Sequence, residues 1–211
     1  MAFTLSEVIN RVIDAELQGK LPDDRDEILN WLVGQIDQPN SYSRMPSPTD
    51  AEMENWPSLY SGEPIVSRVS VRHILGEEAS RAIIRLRRSP TDLQNEVNAC
   101  GSLFERLPKD LGWYCCRPCT VSYWRHLSAR QDEARLNSAM KELTGRQTEN
   151  GRWGAMPFYY VVLSLLSIDN EGAKQNLQHA AKALERAANR NPDGVTAARR
   201  KAIAEAALSR I

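Results

Sequence analysis

Pro157-Phe158-Tyr159-Tyr160-Val161-Val162-Leu163-Ser164-Leu165-Leu166-Ser167-Ile168 is the most apolar run of the chain, and the fold is decided by how it is read. Apolar side chains occupy nearly every position, so a helix formed here has no face that can be left to water. The run is too short to span a bilayer, which takes about 20 residues. It therefore reads as a helix buried on several sides, around which the neighbouring elements must pack.

Toward the C-terminus, Asn170 caps a long helix with Leu177, Ala180, Ala181, Leu184 and Ala187 in register and His179 off that stripe. Asn191-Pro192-Asp193-Gly194 is a turn, and Thr196 to Ile211 reads as an Ala- and Arg-rich closing helix. Toward the N-terminus, Asp132 to Leu143 is amphipathic, with Leu136, Met140 and Leu143 inward and Gly145 as its stop. Ser89-Pro90-Thr91-Asp92 starts a helix that carries Leu93, Val97, Cys100, Phe104 and Leu107. Val66 to Arg87 is helical through Val71, Leu75, Ala79, Ala82 and Leu86, with Gly76 as a break point and His73 expected at the surface or at a helix end.

Residues 38–64 differ in character: five prolines and many serines mark a long irregular connection, in which Trp56, Leu59 and Tyr60 are able to pack down. Before it, Thr4 and Glu7 form a capping box for a first helix, and Asp23 to Glu27 opens a second. Asp23, Asp24 and Glu27 also spell the DDxxE metal–diphosphate pattern of terpene synthases, but first-turn acids complement a helix dipole and no second metal motif accompanies them. No segment alternates with period two. The expected fold is all-α, with about eight or nine helices, built as a partial α/α-hairpin array with a long irregular N-terminal segment. The expected division is a helical hairpin at 1–37, a connecting segment at 38–64 and the α/α-hairpin domain at 65–211.

Composition narrows the classes of function. Lysine plus arginine equals aspartate plus glutamate at 27 each, so no overall field recruits nucleic acid or an anionic membrane. Glu7 and Asp14 interrupt the first apolar positions, which leaves no secretory signal, and the four cysteines are expected as thiols or metal ligands in a reducing compartment. The expectation is a soluble cytoplasmic protein with no membrane span.

Candidate chemistry gathers at Gly112-Trp113-Tyr114-Cys115-Cys116-Arg117-Pro118-Cys119-Thr120, which leads into a helix containing Tyr123, Trp124 and His126. Cys116 and Cys119 have CxxC spacing at a helix N-terminus, where the dipole favours a thiolate. Cys116, Cys119 and His126, with Cys100 or Cys115 as a fourth donor, form a candidate zinc set. Simple burial of the thiols and thiol-based redox chemistry are the competing readings. Tyr123, Trp124, Trp153, Tyr159 and Tyr160 are candidate walls of an apolar pocket, or core. Arg72, Arg81, Arg85, Arg87 and Arg88 form a basic cluster that Glu77 and Glu78 offset, which reads as a solvated face.

Gln147-Thr148-Glu149-Asn150-Gly151-Arg152-Trp153, followed by the apolar helix, resembles the QW repeat of triterpene cyclases. The resemblance extends to the α/α-toroid superfamily of terpenoid cyclases and protein prenyltransferases over roughly residues 110 to 190. It implies inner and outer helices joined by Gly-permitted loops that a tryptophan covers. The catalytic acids and the zinc set of those enzymes have no counterpart here, so the resemblance implies architecture. The leading expectation is a non-catalytic helical interaction or ligand-binding protein whose Cys-rich turn is structural, with buried thiols as the first reading of it and metal stabilisation, zinc being the candidate, as the second. The alternative is an enzyme with an apolar cavity for an isoprenoid-like substrate, or a thiol-based redox protein. A protein partner or second copy is expected to involve Trp56, Leu59 and Tyr60, and an apolar small molecule would occupy the pocket.

Overall fold

The structure, a computed structural model, describes residues 3–211. Among the described residues it contains ten α-helices, one short 3₁₀ turn and no strand. The chain forms two compact units. One comprises the chain up to Ser58 together with Pro64–Pro108, and the other comprises Leu59–Glu63 and Lys109–Ile211.

In the first unit, α1 (Leu5–Leu17), α2 (Arg25–Gly34), the single-turn α3 (Asp50–Glu54) and α5 (Gln94–Gly101) all pack on α4 (Arg68–Leu86). A helix surrounded in this way has little surface left for water, and α4 buries polar positions along with apolar ones. His73 is therefore not at the surface. It is 6% exposed, its ring centre lies 3.7 Å from that of Tyr42, and burial pushes its pKa down from 6.5 to about 4. Arg81 is also buried and bridges Glu16 of α1, while Arg85 reaches the same carboxylate at 3.2 Å. The basic cluster is thus partly an internal ion-pair network, not a wholly solvated face. Gly76 does not break α4. A Cβ there would lie 3.1 Å from Cβ of Met45, so the glycine admits the preceding connection against the helix.

That connection is irregular and closely bonded. The Glu52 side chain, 4% exposed, accepts from the backbone N–H groups of Leu5 (3.2 Å) and Ser6 (2.8 Å) at the start of α1. It also accepts from the N–H and hydroxyl of Thr49 at the start of its own helix (3.0 Å each). One carboxylate thus satisfies donors at two positive helix ends, which fastens the proline-rich segment to α1.

In the second unit, α6 (Arg117–Arg130) packs on α7 (Glu133–Thr144) and α8 (Phe158–Leu165). In turn α8 packs on α9 (Glu171–Ala188) and α10 (Gly194–Leu208), α7 on α9, and α9 on α10. The apolar run is the buried α8. A Cβ on Gly172 would lie 2.8 Å from Cβ of Met140, which marks how closely α7 and α9 approach.

The loop before α8 is held by one side chain. Asn176 Oδ1 accepts from Trp153 Nε1 at 2.8 Å and from Gln147 Nε2 at 3.3 Å, and its Nδ2 donates to Thr144 Oγ1 (3.0 Å) and Gly172 O (2.9 Å). Gly151, at φ +77°, permits the turn between Gln147 and Trp153. Leu59 and Tyr60 are buried in this unit. Arg199 lies over the Tyr60 ring at 4.5 Å and Arg200 donates to Ser61 O at 2.8 Å, so these residues are used within their own chain. Trp56 remains 47% exposed.

Candidate thiol and metal site

The cysteine turn belongs to the second unit, and its shape follows from the side chains that pin it. Gly112 runs against α7, where a Cβ would sit 2.6 Å from Ala139 N, so no larger residue fits. Two aromatic residues of α6 then reach back. Trp124 Nε1 donates to Gly112 O at 2.7 Å, and Tyr123 Oη donates to Leu111 O at 3.0 Å. Trp113 meets Trp124 edge-on at 6.0 Å, Tyr114 stacks on Tyr123 at 5.2 Å, and the Arg146 guanidinium lies 3.9 Å from the Trp113 ring centre. The Thr120 hydroxyl completes the arrangement: it accepts from Tyr114 N at 3.1 Å and donates to Cys116 O at 2.7 Å. Together these bonds fold the chain back along the first turn of α6.

Cys116 is the N-cap of α6, with extended backbone (φ −143°, ψ 168°), Pro118 lies in the first turn, and Cys119 follows at the third helical position. Cys115 is exposed, Cys116 half-buried and Cys119 buried, and all four cysteines of the chain carry thiols. The sulfurs of Cys115 and Cys119 lie within 4.8 Å of each other. CxxC spacing gives no reason to choose Cys115, whose sulfur comes beside that of Cys119 where the chain folds back over the helix and Tyr114 N bonds the Thr120 hydroxyl.

His126 is fully buried on α6, seven residues beyond Cys119, hence about 10 Å farther along the axis. Its ring nitrogens are not among the donors that lie within 4.8 Å of one another around Cys115 and Cys119. Cys100 lies on α5 in the first unit, its thiol directed at Arg44 O (3.9 Å). Of the aromatic candidates, Tyr123 and Trp124 clamp the turn, Trp153 closes the loop before α8, and Tyr160 is buried within α8. Tyr159 is half-buried with Arg200 5.2 Å from its ring. A cleft of about 320 Å³ lies where α8 gives way to α9, lined by Ile168, Asp169, Lys174 and Arg210 among others and by none of these aromatic residues.

No protein-family model matches the chain, and no curated protein or solved structure is detectably similar to it. Among the described residues, no helix is long and apolar enough to cross a membrane.

Proposed function

We propose that the chain is a non-catalytic helical binding protein whose Cys115–Cys119 turn takes a thiophilic metal ion, zinc in the first instance. The observation that carries this reading is the approach of the two sulfurs to within 4.8 Å on a turn clamped from several directions. Two thiolates on one tetrahedral zinc stand about 3.8 Å apart, given Zn–S bonds of about 2.3 Å. A small side-chain rotation closes that difference. The remaining coordination positions are filled by other donors or by water, and a reducing cytoplasm keeps the thiols available.

The reading of the second unit as an α/α-hairpin array, toroid-like in its local pattern, is supported by the packing of α6 on α8, α8 on α10 and α7 on α9. It is supported as well by the Gln147 and Trp153 bonds to Asn176, which do what a QW-type joint requires. The isoprenoid-cavity alternative is less well supported, because the aromatic side chains it needs serve as clamp, joint and core. A protein partner or second copy would meet the exposed Trp56.

Metal content tests the reading. Full-length protein purified under reducing conditions, without chelator, should retain about one zinc ion per chain. The Cys115→Ser, Cys119→Ser double variant should lose it and Cys100→Ser should keep it. A folded wild-type protein that neither retains zinc nor takes it up at micromolar concentration would overturn the proposal.

A further inference from the structure

We infer that Cys115 and Cys119 are a thiol–disulfide exchange pair, with Cys115 as the attacking thiol and Cys119 as the resolving one. The inference does not depend on the metal reading; it rests on the same sulfurs and holds for the metal-free protein. Three observations carry it.

The first is distance. Sulfurs within 4.8 Å reach a disulfide bond of about 2.05 Å by side-chain rotation and a small shift of the turn. The second is the contrast in exposure. Cys115 is open to solvent and Cys119 is buried. An incoming disulfide therefore meets Cys115 and cannot reach Cys119, whereas the sulfur of Cys119 faces that of Cys115 from inside. The third is rigidity. The Thr120, Trp124 and Tyr123 hydrogen bonds hold the turn on its helix, so the two thiols stay adjacent through both steps. Cys116, next in sequence to Cys115, is a poorer resolver, because a disulfide between adjacent residues must distort the peptide bond that joins them.

The substrate class is a small, accessible disulfide, R–S–S–R. In the first step the Cys115 thiolate attacks one sulfur, a mixed disulfide Cys115–S–S–R forms, and RS⁻ leaves. In the second the Cys119 thiolate attacks the Cys115 sulfur, the internal disulfide forms, and the second RS⁻ leaves. The two protons released by the cysteines are taken up by the two departing thiolates. The protein is oxidised by two electrons and the substrate disulfide is reduced to two thiols. A dithiol in excess reverses both steps.

Oxidised glutathione is the probe. Full-length protein, stripped with EDTA and desalted, is exposed to it, acid-quenched, differentially alkylated and sequenced by tandem mass spectrometry. The expected product is an internal Cys115–Cys119 disulfide, with Cys116 and Cys100 still alkylated as thiols. In Cys119→Ala the reaction should stop at the mixed disulfide on Cys115, which should accumulate roughly ten-fold above its level in wild type. In Cys115→Ser, which alters an exposed residue, both adducts should disappear. Circular dichroism checks that each variant is folded. A stable Cys115 adduct in folded wild type, an internal disulfide made by Cys116 instead of Cys115, or no oxidation at all would each overturn the inference. Zinc content is read on separate, unstripped protein, so failure of the metal reading leaves these outcomes unchanged.

Discussion

Two connections in the second unit are built from the same parts and end in opposite chemistry. The loop at residues 147–153 and the turn at 111–116 each lead toward a buried helix. Each contains a glycine with no room or no angle for another residue, and each is fixed by an indole N–H. In the loop, Trp153, Gln147 and Asn176 spend their polar atoms on one another and on backbone, and nothing reactive is left facing outward. In the turn, the tryptophan and tyrosine bonds end on the carbonyls of Leu111 and Gly112, upstream of the cysteines, and leave Cys115 exposed. A joint and a site therefore differ less in framework than in what the framework holds.

The largest expected effect falls on the joint. Trp153 is 1% exposed, and truncating a buried aromatic costs about 3–5 kcal/mol. Trp153→Ala also removes a donor from Asn176, so its denaturation midpoint should fall further than that of any surface variant. Thiol reactivity with a disulfide reagent should stay unchanged while the protein is folded. An unshifted midpoint would show that the loop is not the joint described here.

A buried histidine provides a reference of similar size from the first unit. Its pKa of about 4 in the fold lies below the ordinary 6.5, so the unfolded chain takes up a proton that the folded one refuses. The neutral ring's contribution is fully present above pH 6.5 and is lost as pH falls toward 4, by up to about 3 kcal/mol. Unfolding curves across that range should show wild type losing stability faster than His73→Gln. Parallel slopes for the two proteins would remove His73 as the cause.

How far these features can be read in sequence depends on which residues carry the signal. The apolar run at 157–168 announces α8 because nearly every side chain in it says the same thing. His73 reads as a surface residue because periodicity counts apolar positions, and α4 buries polar ones once four other helices surround it. Asn176 and Glu52 are silent for a related reason. A polar residue on an amphipathic helix or in a proline-rich segment looks solvated until the backbone donors and indole it serves are brought beside it. The cysteine turn is legible as a cluster but not as a pairing, since spacing along the chain does not tell which of Cys115 and Cys116 the folded-back turn brings to Cys119.

Glu52 gives a prediction of intermediate size. Glu52→Gln keeps the shape but removes the charge that faces two helix N-termini and turns one of the two accepting oxygens into an N–H donor, an effect of about 1–2 kcal/mol. The loss should be nearly the same at low and high salt, because a buried carboxylate is little screened. Equal midpoints for Gln and wild type would mean that neither the charge nor the second accepting oxygen holds the segment.

The smallest change in stability should come with the largest change in chemistry. Thr120→Val preserves volume and β-branching but deletes the hydroxyl that accepts from Tyr114 N and donates to Cys116 O. Losing those two bonds costs about 1–2 kcal/mol, less than Trp153→Ala, and α6 should remain intact. The turn, however, loses what folds it over the helix, so Cys115 should drift from Cys119. Internal disulfide formation should slow, mixed disulfide on Cys115 should persist, and the reaction at Cys115 itself should keep its rate. The same substitution made at the joint, Thr148→Val, deletes bonds to Asn150 and Arg152 and should leave thiol chemistry untouched. If both variants partition oxidised glutathione as wild type does, the turn is another joint and the contrast between the two connections fails.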